Sequence, residues 1–423
     1  MIKTRVLAAA MACLPIFALA QSFRVASWNL GWHVSSPEVP NWIDKCSRSF
    51  KKNSTTKRWD VVPADTAGAA VGWFIKESRA NLEDVDLSKM PPCGVYQAAD
   101  FRGIAVTKDA YANRARQLAS LMQSAVRPDV IAFQEVSGVA AVKEALGSQA
   151  DQYNVCSFDG QFKVQRLAFA WRKTLGEAAE ACKVIAPVSL PQELPENQVR
   201  PALTVGLRLG GQLVRFMTVH LKSSCVSSLE KGKLDNDKEQ ACVLLQKQIR
   251  PLEAAVEALP GGADHFVVLG DFNRNLWHEL HEVSGSEPVR SDGERQLTKP
   301  MPPGVLSNSL FKEVFDGDPG DPVALVPLSC STVAANQALC DAAKTRVLTK
   351  DENKVLAGFA ALGCRNPIGL DHFIVSASLQ PKVKAAEKLS LGKLGGSKGP
   401  IEGKPNPLLA VSDHCPVVMT LDM

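Results

Sequence analysis

Six short apolar segments of this chain each begin or end at a polar or titratable residue. In chain order, these residues are Asn29, Glu135, His220, Asp271, Asp371 and the pair Asp413 and His414. Apolar runs of this length are typical of buried β-strands, and helical periodicity between several of them predicts an α/β fold. If the last two strands run antiparallel to the others, all six ends lie at one edge, where open α/β sheets place their ligand sites.

The segment VVLGDFNRN, residues 267 to 275, illustrates the pattern. Asp271 and Asn273 are two positions apart, and side chains at such positions of an extended chain point to the same face. Gly, Asp and Asn are also common in turns, so this segment alone does not separate a turn from a functional site. The five other strand ends favour a site.

These residue types suit the cleavage of phosphate esters. The reaction needs positive charge at the phosphate, an activated water and a proton for the departing oxygen. A divalent cation with oxygen ligands supplies the charge, and Asn29 and Glu135 are such ligands. Histidines suit the proton steps because their pKa is near neutrality, and His220 and His414 stand at strand ends. The remaining histidines are expected to be structural: His33, His265, His278, His281 and His372.

Six motifs of the chain resemble, in order, those of the endonuclease/exonuclease/phosphatase family: SWNLGW, DVIAFQEV, TVHLKS, GDFNRN, GLDHFIV and SDHCPV. They span residues 27 to 417. The resemblance implies the family's deoxyribonuclease I-like fold, a four-layer α/β sandwich in which two mixed β-sheets pack face to face with helices outside. It also implies a metal-dependent phosphoric ester hydrolase.

The resemblance further implies a metal site. Glu135 of the QEV motif would be the principal Mg²⁺ ligand, with Asn29 of the SWN motif beside it and Asp413 of the SDH motif as a further ligand. Mn²⁺ is an alternative ion, and Ca²⁺ is an alternative in a structural role.

Five residues receive catalytic roles by the same resemblance. Asp271 and Asn273 would orient water and phosphate, with Asp271 also a candidate for contact with the metal. His414 would contact the phosphate or activate the water, and Asp371 would orient it. His220 would protonate the leaving group.

One position departs from the deoxyribonuclease I pattern. A glutamate supports the equivalent of His220 in that enzyme, whereas the matching residue here is the neutral Gln165. His220 is therefore expected to be a weaker acid–base partner, or to use another carboxylate such as that of Asp159.

The first twenty residues predict a signal peptide. Lys3 and Arg5 precede the apolar run VLAAAMACLPIFA, and the sequence ALA before Gln21 fits a small-residue cleavage site. No later stretch approaches the ~18 apolar residues of a membrane span. We therefore expect a protein without a transmembrane segment that is exported to the periplasm or the extracellular space.

Charge and cysteine content agree with this expectation but name no substrate. Removal of the signal peptide lowers the net charge of +4 by two, so no strong basic field argues for nucleic acid. Ten of the eleven cysteines lie in the mature chain, and an even number in an oxidising compartment predicts disulfides. The pairings do not follow from the sequence, although Cys225 with Cys242 is the best candidate.

No boundary divides residues 21 to 423, which predicts a single domain with a long insertion at about 34 to 108. Three tryptophans of the insertion, Trp42, Trp59 and Trp73, fit either a membrane-active surface or a small disulfide-stapled core. Residues 380 to 408 lack apolar periodicity and predict a mobile loop or a local polyanion-binding patch. The lysines of this segment are Lys382, Lys384, Lys388, Lys393, Lys398 and Lys404.

The favoured function is that of an exported metal-dependent phosphodiesterase that cleaves nucleic acid as an endonuclease or exonuclease. A phosphomonoesterase or a sphingomyelinase-like phospholipid phosphodiesterase on the same fold is the alternative. A catalytically inactive binding module is the more remote alternative, because all six motifs are present. No protein partner is evident, and we expect a monomer.

Overall fold

The computed structural model describes residues 21–77, 81–160, 162–227, 241–284, 310, 314, 323–400 and 403–423. The predicted signal peptide, residues 1 to 20, lies outside the described residues.

Most strands belong to two large sheets. The described strands are β1 (Ser22–His33), β2 (Ser49–Lys52), β3 (Trp59–Val61), β4 (Ala70–Val71), β5 (Val130–Val136), β6 (Tyr153–Ser157), β7 (Arg166–Arg172), β8 (Glu180–Ile185), β9 (Ala202–Leu209), β10 (Gln212–His220), β11 (His265–Asp271), β12 (Val323–Leu325), β13 (Asp371–Ser376), β14 (Val383–Lys388) and β15 (Val417–Asp422). The first sheet has the order β14-β15-β1-β5-β7-β6, and the second has the order β12-β13-β11-β10-β9-β8.

Helices connect and cover these sheets. The α-helices with described bounds are α1 (Val39–Cys46), α2 (Lys108–Leu121), α3 (Val139–Leu146), α4 (Ala241–Glu257), α5 (Leu276–Ser284), α6 (Ala334–Thr345) and α7 (Lys350–Ala357). Helix α2 is capped at its N-terminus, where the Thr107 side chain accepts a hydrogen bond from the Ala110 amide. None of the helices in these ranges is long and apolar enough to cross a membrane.

Strand directions bring the motif residues to one edge, as the sequence predicts. Strand β1 runs parallel to β5 and antiparallel to β15. In the second sheet, β10 and β11 are parallel, and β13 runs antiparallel to β11. The register aligns His220 with Asp271 and Asp271 with Asp371. The strands of the first four motifs therefore end at this edge, and the strands of the last two motifs begin there.

The two sheets face each other across a common apolar core. Phe169 of β7 and Phe216 of β10 meet there, with ring centroids 6.5 Å apart. The outer face of the first sheet packs against α2 and α3, and that of the second packs against α4. This is the predicted four-layer α/β sandwich, with two mixed sheets between helices.

The insertion at 34 to 108 has a small core of its own. Strands β2, β3 and β4 form a three-stranded sheet, and Trp42 and Trp73 are buried beside it with their rings in edge contact. A disulfide joins Cys46 to Cys93. For these two tryptophans, the stapled core is therefore the correct alternative.

All ten cysteines of the described residues are paired. The expected Cys225–Cys242 pair is present. The other pairs are Cys46–Cys93, Cys156–Cys182, Cys330–Cys340 and Cys364–Cys415.

The prediction that residues 380 to 408 form an irregular loop is wrong in part. Residues 383 to 388 form the edge strand β14, which pairs with β15. Lys388, at the end of this strand, is buried and forms an ion pair with Asp371. Tertiary pairing with β15 therefore orders a segment whose own apolar pattern is weak.

Candidate active site

The six motifs meet at a cleft of about 1150 Å³ at the shared edge of the two sheets. Of the predicted site residues, six line the cleft: Glu135, His220, Asp271, Asn273, Asp413 and His414. Asn29 is buried, and its Nδ2 donates a 3.0 Å hydrogen bond to Asp271 Oδ2. Asp371 is buried behind His414. The structure thus brings all eight predicted residues together.

Three non-glycine residues at this edge have left-handed backbone conformations. The φ angles are 59° at Trp32, 56° at Glu135 and 51° at Asn273. The pairing of β1 with β5 also shifts register between Asn29 and His33, as at a β-bulge. Such conformations cost free energy and tend to occur at functional sites. Here the irregular backbone lets the Trp32 amide donate a 3.0 Å hydrogen bond to Glu135 Oε2.

Strand β11 ends in a turn that is fixed by its own aspartate. Asp271 Oδ1 accepts a 2.8 Å hydrogen bond from the Asn273 amide, and Asn273 Nδ2 donates to the Leu221 carbonyl at 3.1 Å. The preceding Gly270 has a φ of 141°, and a Cβ there would lie 2.2 Å from the Val219 carbonyl oxygen. Asp271 and Asn273 therefore form a turn, and the same two residues also line the cleft.

His414 and Asp371 form a buried pair. His414 Nδ1 lies 3.2 Å from both carboxylate oxygens of Asp371, and Lys388 Nζ lies 3.1 Å from Asp371 Oδ2. Burial by itself would lower the pKa of His414, but Asp371 and then Asp271 outweigh it and raise the pKa to about 10. Burial opposes ionisation of Asp371, yet His414 and Lys388 hold the pKa of that carboxyl below its usual range. The carboxylate of Asp371 therefore favours the protonated form of His414.

Asp271 lies between the two strand-end histidines. Its Oδ2 atom is 3.6 Å from His220 Nε2 and 3.7 Å from His414 Nε2. Glu135 Oε1 is also 3.6 Å from His220 Nε2. Burial raises the pKa of Asp271 to about 6. Burial, together with the negative charge of Asp413, raises the pKa of Glu135 to about 7. Both carboxyls therefore resist ionisation unless positive charge lies beside them.

The sequence profile of the Endonuclease/Exonuclease/phosphatase family matches residues 101–414. The chain belongs to this family. Family membership makes it a relative of phosphoester hydrolases that depend on divalent metals. No curated protein sequence matches the chain.

Solved structures of similar fold are distant in sequence. ANGEL2, a 2′,3′-cyclic phosphatase in complex with adenosine-2′,3′-vanadate, is 13% identical, with a TM-score of 0.47 over 96% of this chain and 97% of that one. A family protein from Bacteroides thetaiotaomicron is 14% identical, with a TM-score of 0.42 over 95% and 98%. D. rerio TDP2 complexed with a single-strand DNA product is 16% identical, with a TM-score of 0.39 over 74% and 92%.

The donor set at the cleft fits the divalent metal of the endonuclease/exonuclease/phosphatase family. Glu135 and Asp271 offer hard carboxylate oxygens, and their raised pKa values indicate that positive charge would stabilise their ionised forms. Ligand atoms of Asp271, Asp371 and His414 also lie within 4.8 Å of one another. Asp371 already contacts Lys388 and His414 Nδ1, so the Glu135 side of the cleft fits a cation better.

Asp413, a predicted metal ligand, is held by two residues that the sequence analysis did not single out. Arg365 forms a 2.7 Å ion pair with Asp413 Oδ2. Asn366 Nδ2 lies 3.2 Å from the same oxygen and 3.1 Å from His414 Nε2. Both residues follow the apolar segment of residues 355 to 364, but this segment forms the end of helix α7 and turns rather than a strand, so the strand-end pattern does not mark them.

Arg200 is a further cleft residue that sequence reasoning missed. Its side chain lines the cleft and donates hydrogen bonds to the carbonyls of His220, at 3.1 Å, and Leu221, at 2.5 Å. Its positive charge also lowers the pKa of Glu135 against the larger effect of burial. Arg200 thus fixes the end of β10 from which His220 projects.

Gln165, which matches the glutamate of the deoxyribonuclease I pattern, contacts Glu135. Gln165 Nε2 donates to Glu135 Oε1 at 3.4 Å. The alternative partner considered for His220, Asp159, has a fully exposed side chain that pairs with Arg166 at 3.2 Å. His220 Nε2 lies instead near the carboxylates of Glu135 and Asp271.

The other histidines lie away from this chemistry where their side chains are described. His33 accepts from buried Arg114 at 2.8 Å, His278 contacts Ser227 at 2.6 Å, and His372 contacts the Arg274 carbonyl at 3.0 Å. His265 is also buried, and the side chain of His281 lies outside the described part.

Proposed function

We propose that this protein is an exported, divalent-metal-dependent phosphodiesterase that cleaves nucleic acid. The observation that carries the proposal is the placement of His220 and His414 on one carboxylate, that of Asp271, in a cleft with Glu135. Hydrolysis of a phosphodiester needs a base for water, positive charge at the phosphate and an acid for the leaving oxygen, and this group of residues supplies all three.

Each residue has a distinct role in this proposal. His414, whose protonated form the carboxylates of Asp371 and Asp271 favour, holds a phosphate oxygen. Asp271, whose Oδ2 lies 3.6 Å from His220 Nε2 and 3.7 Å from His414 Nε2, accepts a proton from the attacking water. The amide side chain of Asn273 orients the phosphate. His220 donates a proton to the departing oxygen.

Glu135 is the principal metal ligand in this scheme, with Asn29, Asp271 and Asp413 as the nearby oxygen donors. The metal, Mg²⁺ in our proposal with Mn²⁺ as a substitute, supplies charge stabilisation at the phosphate when bound. Export is proposed from the signal-like first twenty residues, and the five disulfide pairs support it.

The test is the activity of the purified mature chain with Mg²⁺ on plasmid DNA, RNA, sphingomyelin and bis(4-nitrophenyl) phosphate. We expect cleavage of nucleic acid, loss of activity with EDTA, and recovery with Mg²⁺ or Mn²⁺. Glu135→Gln should lower kcat by roughly 10²-fold or more, because the substitution removes a ligand charge but keeps its shape. Glu177→Gln, the same change at an exposed position, is the matched control.

Two results would contradict the proposal. Full activity in EDTA would exclude the metal-dependent scheme. Hydrolysis of sphingomyelin or of phosphomonoesters without any cleavage of nucleic acid would assign the site to one of the alternative substrate classes.

A further inference from the structure

One wall of the cleft is built by segments that are far apart in the chain. The insertion contributes a short hairpin, in which Gln97 pairs with Gly103 and the Ala98 amide donates to the Arg102 carbonyl at 2.9 Å. Ala98 in turn bridges to Ser397, which lies in a second loop at the same rim. We call residues 92 to 102 and 395 to 400 together the rim wall.

The rim wall is fixed to the strands that carry the site. A disulfide closes its base at Cys93. Tyr96, at the start of the hairpin, stacks on Arg114, whose guanidinium lies 5.7 Å from the ring centroid. Arg114 donates hydrogen bonds to the carbonyls of Leu30, in the first motif, and Val411, which directly precedes the last motif, both at 2.6 Å. The wall therefore has a set position relative to the catalytic groups.

Two exposed phenylalanines line the cleft at this wall. Phe101, at the hairpin tip, is 75% exposed and has a left-handed φ of 62°. Phe359, in the turn after α7, is 43% exposed. Its ring lies against Gly396, where a Cβ would be 2.5 Å from the ring carbons. Of the three exposed phenylalanines in the described ranges, only Phe74 does not line the cleft.

Charged and polar residues surround these rings. Arg102 and Lys398 are exposed and line the same cleft, as does Arg365 beside Asp413. A lipid chain needs a continuous apolar surface, whereas isolated aromatic rings with nearby cations are typical of sites that bind single-stranded nucleic acid.

We infer that Phe101 and Phe359 form a stacking platform for unpaired bases, so that the substrate is single-stranded nucleic acid held beside its scissile phosphate. The inference rests on the proposed function and narrows it. Each ring would stack on one base of the strand, and Arg102 and Lys398 would contact its phosphates. Bases of a duplex are already stacked and paired, and so do not offer their faces to these rings.

The test compares three substrates of equal length: a single-stranded oligodeoxythymidylate, the same strand in a duplex, and a strand of abasic tetrahydrofuran phosphates. Phe101→Ala and Phe359→Ala should each raise KM for the single strand by roughly 5- to 150-fold, the range set by loss of one stacked base. KM for the abasic strand should not change. Phe101→Trp should retain the wild-type KM, because an aromatic face remains.

Phe74→Ala is the matched control, since Phe74 is 53% exposed but lies outside the cleft. Circular dichroism and thermal unfolding of each variant check that the fold is kept. Binding of the labelled single strand to Glu135→Gln, with and without each Phe→Ala change, gives a readout independent of turnover.

Distinct outcomes would overturn the inference. The stacking platform is wrong, and the proposed function stands, if the wild type cleaves nucleic acid but the two Phe→Ala variants keep the wild-type KM. The same conclusion holds if their KM rises by the same factor on the abasic strand. If the variants lose binding to sphingomyelin vesicles but not to the oligonucleotide, the platform serves a lipid. If the wild type cleaves no nucleic acid, both the inference and the proposed function fail.

Discussion

At the scale of single residues, two histidines at similar distances from Asp271 have different surroundings. His414 is backed by Asp371, whose negative charge favours the protonated form of the ring. The Nε2 atom of His220 lies 3.6 Å from each of two carboxyls, those of Glu135 and Asp271. These surroundings suit phosphate binding by the first and proton donation by the second.

This difference predicts that the effect of losing His220 depends on the leaving group, whereas the effect of losing His414 does not. A sugar alkoxide needs a proton as it departs, whereas a nitrophenolate does not. His220→Ala should therefore lower kcat on a nucleic-acid diester by roughly 10²–10⁴-fold, the usual contribution of general acid catalysis, and far less on bis(4-nitrophenyl) phosphate. His414→Ala should be severe on both. Equal losses for His220→Ala on the two substrates would remove its role as an acid.

At the scale of elements, the edge strand β14 contributes to the site across the first sheet. It pairs with β15, and its last residue, Lys388, reaches Asp371 of β13 in the second sheet. Both side chains are 2% exposed. One buried ion pair thus joins the two sheets directly behind His414.

Removal of this lysine should affect both stability and turnover. Lys388→Gln leaves a buried carboxylate without its lysine partner, which should lower the free energy of unfolding by roughly 3 kcal/mol. It should also lower kcat by roughly 10–100-fold, as for other residues that support a site through a neighbour. Urea unfolding and kcat at a temperature well below unfolding measure the two effects. Lys384→Gln, on the same strand but exposed, is the control. Full kcat in a destabilised Lys388→Gln protein would limit Lys388 to a structural role.

At the scale of the whole molecule, disulfides hold the segments that surround the cleft. Cys46–Cys93 closes the insertion, and Cys364–Cys415 joins the residue before Arg365 to the residue after His414. The latter two cysteines are 51 positions apart, and a cross-link of that length is expected to restrict the unfolded chain strongly. The geometry of the site is therefore coupled to cysteine oxidation.

Export and oxidation can be tested together. Protein recovered from the exported fraction should begin at Gln21 or within a residue or two of it, and its ten cysteines should resist alkylation until the protein is reduced. Intact mass and alkylation with and without a reductant measure both. Ten free thiols in the exported protein would contradict the expectation, and so would an uncleaved N-terminus.

The sequence by itself determined the eight residues that meet at the cleft, and the layered fold was implied by the resemblance of its six motifs to the endonuclease/exonuclease/phosphatase family. These follow from local features: apolar runs that end at Asn29, Glu135, His220 and Asp271, and the shared face of positions two apart in an extended chain. These ends meet at one edge because the strands of the first four motifs end there and the strands of the last two, which run antiparallel to their neighbours, begin there.

Only the tertiary structure decided what supports those residues. The strand at 383 to 388 has a weak apolar pattern and forms because β15 offers it an edge. The contact of Gln165 with Glu135, and that of Ala98 with Ser397, join positions far apart in the chain. Such contacts depend on where loops and edges come to rest in three dimensions. Local periodicity does not encode such contacts, so the sequence did not predict that Phe101 and Phe359 line the cleft.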